Sequence, residues 1–176
     1  MHTPPRPIAL IGLMGAGKTA VARALGERLA VSVGDLDAML EAETGRTVAE
    51  QFADDGEAEF RRREGLALRR ALDAGVRVIA CGGGVVLDPA NRALLRERCD
   101  VVWLEVTPHE AAHRLELALG SRPLLAGGDP ETRLSTVLAE RTALYRDLSA
   151  RRVATDGLGV DAVAATVAAG LVGDVR

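Results

Sequence analysis

Ile8-Ala9-Leu10-Ile11-Gly12-Leu13-Met14-Gly15-Ala16-Gly17-Lys18-Thr19 is the stretch from which the rest of the chain can be read. Its first four residues form an uninterrupted apolar run between Pro7 and Gly12, which predicts a strand buried on both faces of a parallel sheet. From Gly12 on, the sequence matches G-x-x-x-x-G-K-[ST] and leads into an amphipathic helix over 19–30, the strand-to-helix setting this motif requires. Glycines let the backbone curl so that successive N–H groups converge on phosphate oxygens, and the helix adds the positive end of its dipole. Lys18 then reaches the β- and γ-phosphates of a nucleotide, and the Thr19 hydroxyl is the right donor type for Mg²⁺. A ligand-free glycine turn is the plainer alternative, but the motif, both flanking elements and the lysine agree. A dinucleotide loop is disfavoured, because no third glycine completes G-x-G-x-x-G after Gly15 and Gly17.

Outward from this stretch, apolar runs at 76–80, 101–104 and 152–154 predict further strands, with 31–33 as a short edge strand. Helical periodicity covers 37–43, 48–53, 57–74, 89–98, 108–117, 132–150 and 160–171. Strands alternating with helices mean a doubly wound parallel α/β sheet, one domain spanning residues 1–176. Only 120–130 lacks periodicity; its glycines and prolines between two helices predict a mobile loop.

Composition narrows the function. The chain has 176 residues, 48% hydrophobic and 27% charged, with a net charge of -3. That is a globular protein and not a nucleic-acid binder held by bulk charge. No apolar stretch reaches the about 18 residues of a membrane span, and Met1 to Pro7 lacks the apolar core of a signal peptide, so a cytoplasmic, unanchored protein is expected. Cys81 and Cys99 form neither a CxxC nor a disulfide framework. Aromatic residues make up only 2%, which argues against recognition by stacking platforms.

Of 22 basic residues, only Lys18 is lysine. An ammonium is not interchangeable with a guanidinium, so this exception points to a constrained role. It also prunes the nucleotide-binding alternatives. A guanine-reading N-K-x-D needs a second lysine, and the only asparagine, Asn91, precedes Arg92. A protein kinase needs a strand lysine outside any phosphate loop. An ATP-dependent small-molecule kinase or another non-GTP NTPase is left.

Asp35-Leu36-Asp37 follows the second predicted strand, placing two carboxylates at the sheet's C-terminal edge, where open α/β folds bind ligands. Asp35 is suited to hold Mg²⁺ through water and Asp37 to orient or deprotonate a hydroxyl; simple helix capping is the alternative. Arg61 shares a helix stripe with Leu68 and Leu72, and Glu64 lies close enough to steer it. Arg141 interrupts the apolar seam Leu134, Leu138, Tyr145, Leu148. Two such arginines can grip one carboxylate by forked hydrogen bonds, or can form structural ion pairs with Glu64 and Glu140; spacing alone does not decide. Arg62-Arg63 and Arg69-Arg70 are expected to cover a solvated face. Gly82-Gly83-Gly84 ends the strand at 76–80 and permits close backbone approach to a ligand, or merely a tight turn. No aspartate ends that strand, so Asp35 becomes the candidate metal-side acid.

Taken together, these residues resemble shikimate kinase, a small member of the nucleoside-monophosphate-kinase-like P-loop group. The resemblance runs from Ile8 to about Ala154. It includes the phosphate loop, Asp35-Leu36-Asp37, Gly56 to Phe60 followed by Arg61, Gly82-Gly83-Gly84, Arg122-Pro123-Leu124-Leu125, and Arg141 before Tyr145-Arg146. It implies phosphoryl transfer from ATP to the 3-hydroxyl of shikimate, on the route to chorismate and the aromatic amino acids. The implied fold is a three-layer α/β/α sandwich around five parallel strands in order 2-3-1-4-5, with a mobile lid over about 117–132. Gly15, Ala16, Gly17, Lys18, Thr19, Ala20 and Arg122 would bind ATP, and Thr19 and Asp35 would hold Mg²⁺. Asp37, Arg61, Gly83 and Arg141 would bind shikimate, both arginines on its carboxylate. Asp37, Lys18 and Arg122 would carry the catalysis, in a monomer. Two departures stand out: Cys81 replaces the threonine of many relatives, and Thr155 to Leu158 lacks a basic residue some members place there. Arg114 is a candidate adenine contact.

Three competing readings remain. His109-Glu110-Ala111-Ala112-His113 matches the H-E-x-x-H of zinc proteases, with Glu131 or Glu140 as a possible third ligand. However, Thr107-Pro108-His109-Glu110 also reads as a helix N-terminus whose Glu110 closes a capping box on its own backbone. A gluconate kinase or another relative sharing the phosphate loop is the second reading, though it gives no reason for two arginines meeting Gly82-Gly83-Gly84. A nucleotide-binding switch without chemistry is the third.

Overall fold

Strand β1 (Ile8–Ile11) is buried at every position and runs through the middle of a five-stranded sheet. It pairs in parallel with β3 (Val78–Ala80) on one side and β4 (Asp100–Glu105) on the other. β2 (Val33–Asp35) and β5 (Arg151–Ala154) close the edges, giving the order 2-3-1-4-5 with every pairing parallel. The computed structural model describes residues 6–119 and 129–172, with no side-chain detail at 118, 119 and 172.

Because side chains alternate along a strand, β1 feeds two cores. Ala9 and Ile11 join Ile79, Val101 and Trp103 beneath helices α2 (Leu36–Thr44), α3 (Val48–Asp73), α4 (Pro89–Arg98) and α6 (Pro130–Leu148). Ile8 and Leu10 join Val78, Val102 and Leu104 beneath α1 (Lys18–Leu29), α5 (Pro108–Leu119) and α7 (Val160–Val172). Each fully buried leucine contributes about 1.5–3 kcal/mol, so aliphatic packing serves where aromatics are scarce.

Several features differ from the sequence reading. The edge strand begins at Val33 because residues 30 and 31 are taken up by the end of α1. Ala30 adopts a left-handed conformation (φ 53°) there, and Val31 N donates to Gly26 O at 3.0 Å. Asp35 is therefore the last strand residue and also the N-cap of α2. The helices expected over 48–53 and 57–74 are one element, bent at Gly56 (φ 80°, ψ 165°). Helix α6 starts at Pro130, since Asp129 caps it by accepting from Thr132 N at 2.8 Å. Arg63 does not simply face solvent: it binds Asp55 at 2.6 Å and Glu59 at 2.9 Å, and Asp55 also holds Arg46, so an ion-pair network brackets the Gly56 bend.

Candidate active site

The phosphate loop leaves the C-terminal end of β1 and turns into α1 at Gly17, whose left-handed backbone (φ 86°) suits glycine. No side chain caps α1, so its first N–H groups point outward as an anion site. Lys18 Nζ donates to the carbonyls of Gly12 and Leu13 at 2.9 and 2.8 Å, which holds the ammonium over the loop. Burial lowers its pKa to about 8, against the opposing pull of Asp37. The cation is thus short of solvent and would gain from nucleotide phosphates.

Thr19 Oγ1 donates to Asp35 Oδ2 at 2.5 Å, while Asp35 Oδ1 accepts from Ala38 N at 3.1 Å. Asp35 therefore caps α2 with one oxygen, as the alternative reading had it, and meets Thr19, the other expected Mg²⁺ ligand, with the other. Two hard oxygen donors in contact on a solvent-accessible edge fit Mg²⁺, which keeps waters and uses few protein ligands beside nucleotide phosphates. Asp37 lies in the first turn of α2, half-buried. Desolvation first, then the neighbouring Asp35 charge, raise its pKa above the ordinary carboxylate value. That shift strengthens it as a proton acceptor.

The acceptor side is built from α3, α6 and the loop after β3. Arg61 Nη1 binds Glu64 Oε2 at 2.9 Å, and the guanidinium stands 5.3 and 5.4 Å from the Phe52 and Phe60 ring centroids. Both phenylalanines of the chain therefore flank this one arginine. Glu64 is fully buried, its pKa is raised by desolvation, and its Oε1 has no hydrogen-bond partner among the described residues. The glycine loop makes this packing possible. A Cβ on Gly84 would fall on the Arg61 guanidinium, and one on Gly82 would strike Glu64 Oε1 and stand 3.0 Å from Asp37 Oδ1. Arg141 comes to the same loop from α6, its Nη1 3.6 Å from where a Cβ of Gly83 would stand. Its buried Nε is without a partner, and no carboxylate among the described residues pairs with it. The ion-pair alternative thus holds for Arg61 with Glu64 and fails for Arg141 with Glu140.

Arg114 is committed to protein acceptors: Glu110 at 2.8 Å, Thr155 O at 2.7 Å and Gly15 O at 3.3 Å. It ties the phosphate loop to the end of β5. The capping box expected at Glu110 is only half formed. Glu110 N donates to Thr107 Oγ1, but its carboxylate goes to Arg114, and Asp156 Oδ1 takes the Thr107 N–H at 3.0 Å instead. His109 is exposed and pairs with Glu131 at 3.0 Å, which raises its pKa, and His113 is exposed too. Among the described residues, no group of three or more His, Cys, Asp or Glu side chains could hold a metal. With Glu110 engaged by Arg114, the zinc-protease reading has no base. Cys81 is buried, and desolvation pushes its thiol pKa well up, so it stays protonated. Arg122 lies outside the described residues, as does most of 117–132.

Sequence reasoning missed Phe52, Phe60 and the hydroxyl of Tyr145 as parts of this site. The pairing of the only two phenylalanines with an inward arginine was the available signal.

Comparison with known proteins agrees with this geometry. The family model described as "Shikimate kinase" matches residues 14–171. A shikimate kinase of Symbiobacterium thermophilum is 44% identical over 161 residues, covering 91% of this chain and 92% of that protein. The solved shikimate kinase from Acinetobacter baumannii, in complex with shikimate, superposes with a TM-score of 0.89 at 32% identity, covering 98% of this chain and 97% of the other. A gluconokinase from Sinorhizobium meliloti covers 97% and 94%, but with a TM-score of 0.61 at 20% identity it shares the fold alone. The phosphate loop, the carboxylate pair and the arginines around the glycine loop thus sit in a chain that belongs to the shikimate kinase family.

Proposed function

We propose that this chain transfers the γ-phosphoryl group of Mg-ATP to the 3-hydroxyl of shikimate, giving shikimate 3-phosphate on the route to chorismate. Residues 1–176 act as one domain, monomeric and cytoplasmic; among the described residues no helix is long and apolar enough to cross a membrane. Such transfer demands positioning and charge neutralisation more than covalent chemistry.

Gly15, Ala16, Gly17, Lys18, Thr19 and Ala20 cradle the phosphates, while Thr19 and Asp35 would hold Mg²⁺, which would supply charge neutralisation to the transferring phosphates. Asp37 orients the 3-hydroxyl and takes its proton. Arg61, Gly83 and Arg141 hold the acceptor, the arginines on its carboxylate, so that the hydroxyl faces Asp37 and Lys18. Arg122, from the segment assigned as a lid, closes over the transferring phosphate and excludes water.

One observation carries the acceptor assignment: Arg141 keeps a buried, unpartnered Nε beside Gly83, within the electrostatic reach of Lys18 and Glu64. A site with Lys18, Arg61 and Arg141 so arranged calls for an anionic acceptor in addition to the nucleotide. A coupled ADP-release assay with Mg-ATP tests it, comparing shikimate, gluconate and no acceptor. ADP release is expected with shikimate only. Turnover of gluconate would move the chain to another kinase specificity, and acceptor-independent release would favour a nucleotide switch.

A further inference from the structure

Helix α6 brings a second group to the glycine loop. Tyr145, one turn beyond Arg141, is fully buried, and its hydroxyl donates to the Gly83 carbonyl at 2.6 Å. Its ring is fixed against the sheet, 5.7 Å from the ring of Trp103 on β4. The Arg141 guanidinium reaches the same glycine, its Nη1 3.6 Å from where a Cβ of Gly83 would stand, and it acts on the phenol electrostatically. Burial raises the phenol's pKa, so it stays a donor at any working pH.

A hydroxyl has one proton and two lone pairs. With the proton given to Gly83 O, the lone pairs are left for the guanidinium. The Gly83 carbonyl is thereby turned toward α6, which fixes the rotation of the peptide that lines the acceptor pocket. Neither partner is set by its own backbone: Gly83 has no side chain to hold it, and Arg141 has no carboxylate partner among the described residues.

We propose that Tyr145 is a positioning residue for the acceptor, its hydroxyl setting the Gly83 peptide and the Arg141 guanidinium as one unit without touching the substrate. This rests on the reading of Gly83 and Arg141 as shikimate-binding groups. The role differs from that of a core tyrosine that only supports the fold, because its removal loosens one substrate and not the other.

Tyr145→Phe removes the hydroxyl and keeps the ring against Trp103. Its KM for shikimate is expected to rise about tenfold, with kcat within about twofold and KM for ATP unchanged, the signature of lost uniform binding to one substrate. Calorimetric titration of shikimate, run well below the variant's own melting midpoint, should show the same loss, so that reduced stability cannot imitate reduced grip. On an Arg141→Lys background the same change should add less than about threefold, since two groups acting as a unit are not additive. A Tyr145→Phe enzyme with wild-type affinity for shikimate overturns the proposal alone. So does an equal loss toward ATP, or full additivity with Arg141→Lys. A wild-type enzyme that fails to bind shikimate overturns the acceptor reading and this proposal together.

Discussion

The two ends of the cleft are built on opposite plans. The phosphate end is a single continuous stretch, Gly12 to Thr19, in which main-chain N–H groups and one ammonium are the groups proposed to bind. The acceptor end is assembled from α2, α3, α6 and the loop after β3, and its parts are side chains that hold one another. Glu64 is buried beneath Arg61, two phenyl rings flank the guanidinium, and the glycines leave room for both. Main-chain geometry tolerates change in many side chains. A charge cluster with unpartnered atoms on Glu64 and Arg141 does not, because each buried group depends on the next. Specificity for the acceptor is therefore the fragile property, and nucleotide binding the robust one.

The sharpest way to break this contrast is at Asp37, which touches both plans. Asp37→Asn keeps the shape and removes the proton acceptor, so kcat should drop about 10²–10⁴-fold while KM for ATP stays within about threefold, as steady-state kinetics would show. A fully active variant would leave proton transfer without a residue.

Gly84→Ala probes the acceptor end alone. The new methyl group has to displace the Arg61 guanidinium. Losing a charge-assisted contact of about 1.5–3 kcal/mol should raise KM for shikimate about 10- to 150-fold. Melting and KM for ATP report whether the damage stays local, and an equal loss toward both substrates would erase the distinction between the two ends.

The smallest effect is on pH. Lys18 has its pKa lowered from 10.5 to about 8 in the free protein, so its charge is lost as pH rises through that value. The kcat/KM for Mg-ATP, which reports the free enzyme, should bend downward above about pH 8 and fall toward tenfold per pH unit. Stability moves the other way. The unfolded lysine binds the proton more tightly, so the penalty for burying the ammonium is full below the folded pKa and is relieved between about pH 8 and 10.5. A flat profile for ATP up to pH 10 would mean the ammonium keeps its proton without phosphates.

Much of this was legible in the sequence because it is local. The β1 run, the loop and α1 are contiguous, and the helix expected over 89–98 lies there too, its start capped by Asp88, whose Oδ1 accepts from Ala90 N at 2.7 Å. The inward arginines were legible from helical spacing, and so was Glu64 as the partner of Arg61; that Arg141 takes no partner among the described carboxylates was not. Other features depend on contacts across the chain. The β2 register follows from a left-handed Ala30, a conformation that alanine's composition does not announce. The capping box at Glu110 gave way because Asp156, at the end of β5, supplies the Thr107 N–H with a better-placed oxygen. Likewise Tyr145 reads as one more apolar position on its seam until the fold brings Gly83 to its hydroxyl.

The central claim is that paired guanidinium groups grip an anionic cyclic alcohol next to a nucleotide held by main-chain amides. A crystal structure with Mg-ADP and shikimate tests it most directly. Arg61 and Arg141 are expected on the shikimate carboxylate at about 2.7–2.9 Å, with the 3-hydroxyl toward Asp37. Guanidinium groups turned away from the carboxylate, with the nucleotide still seated on the loop, would contradict the acceptor assignment and leave only the ATP half standing.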